Sequence, residues 1–348
     1  MSEKPFIIPV FIPQAGCPYQ CIFCNQKTIT GHDGFPYWKS ARVQAQQTVR
    51  DYLAYKTEGT LKTELAFYGG NFLGLAASQI EWYVDFACSL HQAGLIDALR
   101  FSTRPDTITP QSLSLLQNVP VSVIELGAQS MDDEVLRLSG RGHTAADTEQ
   151  AVALIREWGF AAGLQIMPGL PGDTPERARA TGQLAAELEP LCVRIYPTVV
   201  LKDSPLAQMY QEGRYQPLAL DDAVDVTAGL YRLFRRQGIA VIRMGLQATD
   251  SLKPGETILA GPYHPAFGHL VISRLFWRAL EPLTAEIMTN DVEIAVHTSQ
   301  VSHARGLSNA NVEFLKRRWP QRSFRFIADG GLAKTEVKVN GAIRDIIN

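Results

Sequence analysis

The chain has 348 residues, with 33 Lys and Arg against 35 Asp and Glu for a formal net charge of −2, and 46% of it is hydrophobic. That composition excludes a disordered chain, a collagen and a coiled-coil array, and the balanced charge excludes a strong overall field for nucleic acid while leaving room for a local basic patch. No apolar run reaches the roughly 18 residues a membrane-spanning helix needs; the opening stretch MSEKPFIIPVFIPQ lacks the continuous apolar core of a secretory signal, so the expectation is a cytoplasmic protein with no membrane partner.

From the N-terminus, short β-rich runs alternate with segments of 3.6-residue apolar spacing. Candidate strands lie at 6–12, 64–68, 99–103, 121–126, 161–167 and 192–196, with 239–243 as a seventh candidate; helical patterns lie at 41–56, 78–92, 110–117, 145–158, 175–188 and 221–237. Such alternation predicts parallel βαβ units, and the right-handed crossover leaves either a doubly wound sheet or a barrel. Gly69-Gly70-Asn71, Thr103-Arg104-Pro105-Asp106, Gln129, Gln165 and Pro197 all fall at or just past the C-terminal end of a candidate strand. A barrel gathers those ends into one ring, whereas a flat sheet spreads them along a line. The expected fold is therefore α/β: a partial (β/α)6 TIM-like barrel over residues 1–245. Residues 246–348 are expected to form a linker, rich in Gly, Pro and Thr at 248–265, and a small C-terminal α+β domain of unknown role. Its candidate elements are a helix at 269–280, a strand at 292–297, a helix at 309–319 and strands at 324–327 and 336–339.

Five cysteines are unevenly placed: Cys17, Cys21 and Cys24 fall within eight residues, on a loop just after the first strand. Clustered thiols in a reducing compartment suggest a metal before a bridge. Three thiolates on one loop suit a [4Fe–4S] cluster that keeps one iron without a protein ligand, open to a substrate or cosubstrate. The alternative is a zinc site with His32 as fourth ligand, although no second Cys pair exists in the chain. Cys88 and Cys192, far from the cluster, read as small buried apolar residues.

The Cys-x3-Cys-x2-Cys spacing, with Phe23 before the last Cys and Gly69-Gly70 after the second strand, resembles the signature of the radical S-adenosylmethionine (radical SAM) superfamily. The order and spacing of Phe67-Tyr68-Gly69-Gly70-Asn71-Phe72-Leu73-Gly74, Thr103-Arg104-Pro105-Asp106, Glu125-Leu126-Gly127-Ala128-Gln129-Ser130, Arg141-Gly142-His143-Thr144 and Met167-Pro168-Gly169-Leu170-Pro171-Gly172 look like the radical SAM domain of the Elongator catalytic-subunit family, which modifies wobble uridines of tRNA. The resemblance covers about residues 5–245. Oxygen-independent coproporphyrinogen III oxidases share the cysteine spacing and resemble the chain less elsewhere.

The resemblance implies a [4Fe–4S] cluster on Cys17, Cys21 and Cys24, with S-adenosyl-L-methionine on the open iron. It implies reductive cleavage to a 5′-deoxyadenosyl radical that abstracts hydrogen from substrate, an electron donor such as flavodoxin or ferredoxin, and an RNA or tRNA partner. Gly69, Gly70 and Asn71 fall where related enzymes hold the SAM amino group, and Gln129, Arg141 and Gln165 where they hold its carboxylate, ribose or adenine. Arg141 is the strongest of these, since guanidinium matches a carboxylate bidentately. No residue is singled out for the step after radical formation. Three departures stand out. Ser102 occupies the position of the family's Glu before Thr-Arg-Pro-Asp, no acyl-CoA loop follows residue 245, and the first strand begins too early for a basic N-terminal extension. Acetyl transfer is therefore not expected.

Other readings stay open: the same chemistry on a small metabolite or cofactor precursor, a zinc-dependent RNA-binding module, or a cluster kept only as a structural or redox-sensing element. Gly69-Gly70, Gln129 and Arg141 argue against the last, which has no use for a SAM site. Two weaker signals complete the chain. The run 261–269, with His264 and His269, suits either a structured loop or the substrate side of the barrel. Lys316, Arg317, Arg318, Trp319, Arg322 and Arg325, like Arg232, Arg235 and Arg236, suit either an RNA contact or a solvated helix face.

Overall fold

The computed structural model describes residues 5–12, 16–25, 38–56, 62–247, 249 and 251–348. Its first strands are β1 (Phe6–Phe11), β2 (Thr63–Tyr68), β3 (Ala98–Thr103), β4 (Val121–Gln129), β5 (Ala162–Ile166), β6 (Cys192–Ile195), β7 (Val200–Leu201) and β8 (Ala240–Met244). All but β7 join one sheet in chain order, and every neighbouring pair is parallel. The strand–helix repeat thus gives the expected α/β half-barrel, with the candidate at 239–243 supplying a seventh strand beyond the six of the (β/α)6 pattern. β1 and β8 are the two edges of the sheet and do not pair with each other, so the barrel stays open.

Between the strands run α1 (Trp38–Ala54), α2 (Ala77–Gln92), α3 (Pro110–Ser114), α4 (Asp133–Leu138), α5 (Ala145–Glu157), α6 (Pro175–Glu187), α7 (Pro205–Gln211) and α8 (Leu220–Arg236). Local chemistry sets several starts. Thr109, Thr144, Thr174 and Ser204 each accept a backbone N–H of the first turn, and Pro stands at the first helical position of α3, α6 and α7. Leu65, Phe67, Leu99, Phe101, Ile124, Leu126, Leu164, Ile166, Val193 and Ile195 face outward into one apolar cluster with these helices. Side chains alternate along a strand, so Glu64, Tyr68, Arg100, Glu125, Gln165 and Arg194 share the inner face. The curl is measurable. Tyr68 on β2 and Arg194 on β6 stand four strand positions apart, about 19 Å in a flat sheet. Their hydroxyl and Nη2 nonetheless meet at 2.5 Å.

After the half-barrel come β9 (Ile258–Ala260), which pairs antiparallel with β7, then α9 (Phe267–Ala285), β10 (Asp291–Val296), α10 (Val301–Arg305), α11 (Ala310–Arg318), β11 (Ser323–Ala328), β12 (Glu336–Val339) and β13 (Ala342–Asp345). A four-stranded sheet in the order β11-β10-β12-β13 mixes one parallel and two antiparallel pairings. A second apolar cluster joins α9 and this sheet to Ala223, Val224 and Ala228 of α8. Leu230 and Phe234 of the same helix pack into the barrel cluster, so α8 is buried on two sides and is shared by both cores. Among the described residues no helix is long and apolar enough to cross a membrane.

Candidate functional site at the mouth of the half-barrel

The cysteine loop, residues 16–25, follows β1 and is tied down on several sides. Ile22 N–H donates to Ser139 O at 3.2 Å, and Ile22 O accepts from Leu206 N–H at 2.9 Å. Asn25 Nδ2 donates to Lys202 O at 2.5 Å, and Asn71 Nδ2 to Gly16 O at 2.7 Å. Gly16 has φ +78°, and a Cβ there would lie 2.4 Å from Asn71 O; a Cβ on Gly74 would lie 2.1 Å from Gly16 O. Only two glycines let the loop press this closely onto the end of β2.

Asn71, expected at the cofactor, has a fully buried side chain: Oδ1 accepts from Thr103 Oγ1 at 2.7 Å, Thr107 Oγ1 at 3.0 Å and Arg104 N–H at 3.0 Å, while Nδ2 donates to Gly16 O. It ties the ends of β2 and β3 to the cysteine loop. Gly69 and Gly70 lie next to it, both half-buried. Gly69 has φ +96° and sits where a Cβ would be 3.4 Å from Ile12 O, which keeps backbone exposed at the strand end.

Arg104 and Arg141 converge on Cys21, and both are buried. Arg141 Nη1 donates to Cys21 Sγ at 3.1 Å and Nη2 to Gly127 O at 2.6 Å. Arg104 Nη1 lies 3.9 Å from the same sulfur, its Nε and Nη2 grip Asp106 at 2.8 and 2.9 Å, and Nη2 also meets Arg141 O. The place of Arg141 is set by the end of α4. Gly140 N–H donates to Arg137 O, Arg141 N–H to Leu136 O, and Gly140 has φ +63°, the paired hydrogen bonds of a Schellman motif. That short helix went unread in the sequence, although Asp132 at its N-cap and Gly140 past its end were the signals.

Gln129 closes the end of β4 in the left-handed region, at φ +67°, where the register with β5 shifts. Its Oε1 accepts from Gln165 Nε2 at 3.1 Å, so two of the expected contact residues touch each other. Gly127 makes room for them: a Cβ there would be 2.7 Å from Gln129 Nε2 and 3.4 Å from Arg141 Nη2.

The electrostatics follow from this packing. Burial, then the neighbouring thiols Cys21 and Cys17, pushes the Cys24 thiol up to about 12. Loss of solvent around its sulfur, then Cys21, raises Cys17, with Arg104 and Arg141 opposing. His143 is buried beside the two guanidiniums; burial first, then Arg141 and Arg104, lowers its pKa to about 4. Bare, the Cys17 and Cys24 thiols resist ionisation, and a cation beside them would favour their thiolates. Among the described residues no three His, Cys, Asp or Glu side chains converge on a single-ion position, and His32 lies outside those residues. An all-thiol donor set on one loop, with Arg141 Nε buried and without a hydrogen-bond partner beside it, fits an iron–sulfur cluster with an anionic ligand nearby.

A second cluster, on the inner face, escaped the sequence reading. Glu125 Oε1 accepts from Arg194 Nη2 at 3.0 Å and Tyr68 OH at 3.2 Å and lies 3.4 Å from Arg100 Nη1, while Oε2 pairs with Arg194 Nε. Arg100 Nε pairs with Glu64 at 2.7 Å, and Arg194 Nη1 donates to Tyr196 OH at 3.2 Å. The network forms a bar across the half-barrel from β2 to β6. Burial first, then the Glu125 carboxylate, holds the Tyr68 phenol above its ordinary range. The available signal was a charged residue at alternate positions of apolar strands, as in Leu99-Arg100-Phe101. Cys192, expected as apolar core, sits on this inner face, where a Cβ on Gly163 would approach its Sγ to 3.1 Å.

Of the basic residues, most have structural partners. Arg232 and Arg236 each donate through Nε to Ile347 O, Arg322 donates to Thr284 O and Ile287 O, and Arg325 pairs with Glu293. Arg317 lies exposed over the ring of Phe314. The rings of His269 and His303 meet at a tilt of 35°, with centroids 4.5 Å apart.

Residues 11–185 match the family model described as the radical SAM superfamily, and residues 190–276 match the Radical SAM C-terminal domain. The chain belongs to the radical SAM superfamily. It is 30% identical over 236 residues to the tRNA uridine(34) acetyltransferase of Dehalococcoides mccartyi, a match covering 58% of this chain and 50% of that one. It is also 30% identical over 226 residues to an uncharacterized protein of Methanocaldococcus jannaschii, covering 62% and 68%. Human Elongator complex protein 3 is 26% identical over 195 residues, covering 49% of this chain and 35% of its own length. The structure of Methanocaldococcus infernus Elp3 with an N-terminal deletion superimposes with a TM-score of 0.59 at 21% identity, covering 81% of this chain and 64% of that one. This likeness shows the fold. The chain spans about half the length of the acetyltransferase relative from D. mccartyi.

Proposed function

We propose that this radical SAM enzyme holds a [4Fe–4S] cluster on Cys17, Cys21 and Cys24 and modifies an RNA substrate. The observation that carries the reading is the all-thiol loop with Arg141 Nη1 3.1 Å from Cys21 Sγ. With S-adenosyl-L-methionine bound, the cluster supplies a hydrogen-abstracting 5′-deoxyadenosyl radical once a reductant, such as a flavodoxin or ferredoxin, delivers an electron. In this reading Arg104 and Arg141 offset thiolate charge, and Gly69 and Gly70 leave backbone groups open to the SAM amino group. Gln129, Gln165 and the free Nε of Arg141 serve its polar remainder. Residues 1–245 act as the SAM-binding barrel and 246–348 as an accessory unit. RNA is favoured by the likeness to a protein named for tRNA uridine(34), which covers 58% of this chain; acetyl transfer is not carried over.

The test is anaerobic reconstitution, reduction by dithionite and assay of 5′-deoxyadenosine from SAM. About four irons per chain with SAM cleavage is the expected result; stoichiometric zinc with no iron above background would falsify it. Cys24→Ala should lose the iron while the far-ultraviolet circular dichroism and the unfolding midpoint stay near those of the parent, because Cys24 lies on a loop outside the apolar clusters. Comparison of tRNA nucleosides from cells with and without the protein tests the substrate.

A further inference from the structure

The inner face carries three cations, Arg100, Arg194 and Arg243, against two carboxylates, Glu64 and Glu125. Arg100 and Arg194 are fully engaged by those carboxylates and by the phenols of Tyr68 and Tyr196. Arg243 is different. Among the described residues it makes no ion pair, and it is half-buried. Its orientation follows from the pairing of β6 with β8. The register shifts beyond Val193–Val241 so that Arg243 stands opposite Arg194. Val241 packs on the outer cluster of the barrel and Met244 on the cluster shared with α9. The extra residue, Ile242, is absorbed by the bulge, and alternation turns Arg243 inward beside Arg194.

Two guanidiniums on neighbouring strands of one face repel each other. Glu125 already takes Arg194, Arg100 and Tyr68, so it cannot also quiet Arg243. The excess positive charge lies on β8, the last strand of the open sheet, on a side chain that is only half-buried. A planar fork of donors, partly desolvated and without an ion-pair partner, is suited to a tetrahedral oxyanion.

We propose that Arg243 receives a phosphate group of the substrate on the inner face of β8. This rests on the reading of the substrate as RNA, and it names the chemistry by which the barrel would recognise it. The phosphate has two possible sources: the phosphodiester backbone of RNA and the terminal phosphate of a free nucleotide.

The experiment uses the full chain, with Arg243→Gln and Arg243→Lys, both checked for an unchanged thermal midpoint. Binding of a labelled RNA stem–loop, uridine 5′-monophosphate and uridine is measured across a salt series. Arg243→Gln should weaken the phosphate-bearing ligand about 5- to 10-fold and lower the slope of log K against log salt by about one. Arg243→Lys should recover part of the affinity, and uridine should not respond. Loss on the stem–loop alone assigns a backbone phosphodiester; loss on the monophosphate alone assigns a free nucleotide; either supports the site. Equal affinities and slopes in wild type and Arg243→Gln, or no binding of either phosphate ligand by the wild type, would overturn it. Absence of 5′-deoxyadenosine in the separate cleavage assay would count against the radical reading and leave the binding result to be judged alone.

Discussion

Arginines of the half-barrel and arginines of the C-terminal unit meet different neighbours. In the barrel, Arg100, Arg104, Arg141 and Arg194 are buried or nearly so, and they hold carboxylates, phenols and a cysteine sulfur around one opening. In and around the C-terminal unit, Arg232, Arg236 and Arg322 reach backbone carbonyls at chain and helix ends, and Arg325 pairs with Glu293 at the surface. The same side chain therefore serves a site in one region and satisfies peptide groups in the other. What separates the two is the partner: a carbonyl that needs a donor explains an arginine completely, whereas a sulfur or a buried carboxylate does not. The basic run 316–325, which suited either an RNA contact or a solvated helix face, loses Arg322 and Arg325 to such structural roles.

The comparison can be broken at its most buried point. Arg194→Met should destabilise the chain by about 3–5 kcal/mol, because it strands the Glu125 carboxylate with Arg100 as its one remaining cation. Urea unfolding measures this, and a loss below about 1 kcal/mol would mean that the bar is solvated rather than buried. Asn71→Ala should follow at about 2–4 kcal/mol, since Gly16 O and Arg104 N–H lose their partner in a dry setting. It should also lower the iron bound after reconstitution, as the cysteine loop is no longer clamped to β2. Retention of full iron loading would separate the clamp from the site.

Much of this was legible from the chain. Each of the seven barrel strands lies within three residues of its sequence-derived position, because buried parallel strands leave dense apolar runs between turn residues. The cysteine loop and the ring of strand-end residues were legible for the same reason: each follows a strand directly. The inner bar was not. Glu125 meets Tyr68 across 57 residues and Arg194 across 69, and only the curl of the sheet makes those pairs. Asn71 shows the other limit. Its place beside Gly69-Gly70 was visible, but the four hydrogen bonds to distant groups that make its side chain a clamp were not. β13 and α4 are short, four and six residues, which leaves less than two turns or pleats of pattern to read.

A pH series sharpens the contrast at the mouth. His143 has a folded pKa of about 4, held down by burial and by Arg141 and Arg104. The unfolded chain takes up a proton near pH 6.5 that the folded chain refuses. Stability is therefore complete above about pH 6.5, falls as the pH drops toward 4 and loses nothing further from this group below that. Its size is on the order of 3 kcal/mol. His143→Gln should flatten the urea midpoint across that window. An unchanged slope would show that the ring is already protonated or solvated in the native state.

The smallest effects test the C-terminal side of the comparison. Arg322→Ala should cost about 1–2 kcal/mol, because its two nitrogens, each 2.7 Å from a carbonyl, serve Thr284 and Ile287 at the end of α9. Arg317→Ala, one helix away, should cost less than about 0.5 kcal/mol, since Arg317 is exposed, rests on the half-exposed ring of Phe314 and donates only to Glu313 O of its own helix at 3.3 Å. Neither should alter the iron content. Paired unfolding curves of the two variants decide whether a partly buried bond to a distant carbonyl, and not position in a basic run, ranks these residues. If Arg317→Ala proved as costly as Arg322→Ala, the stacked guanidinium would be part of the fold, and its availability to RNA would fall accordingly.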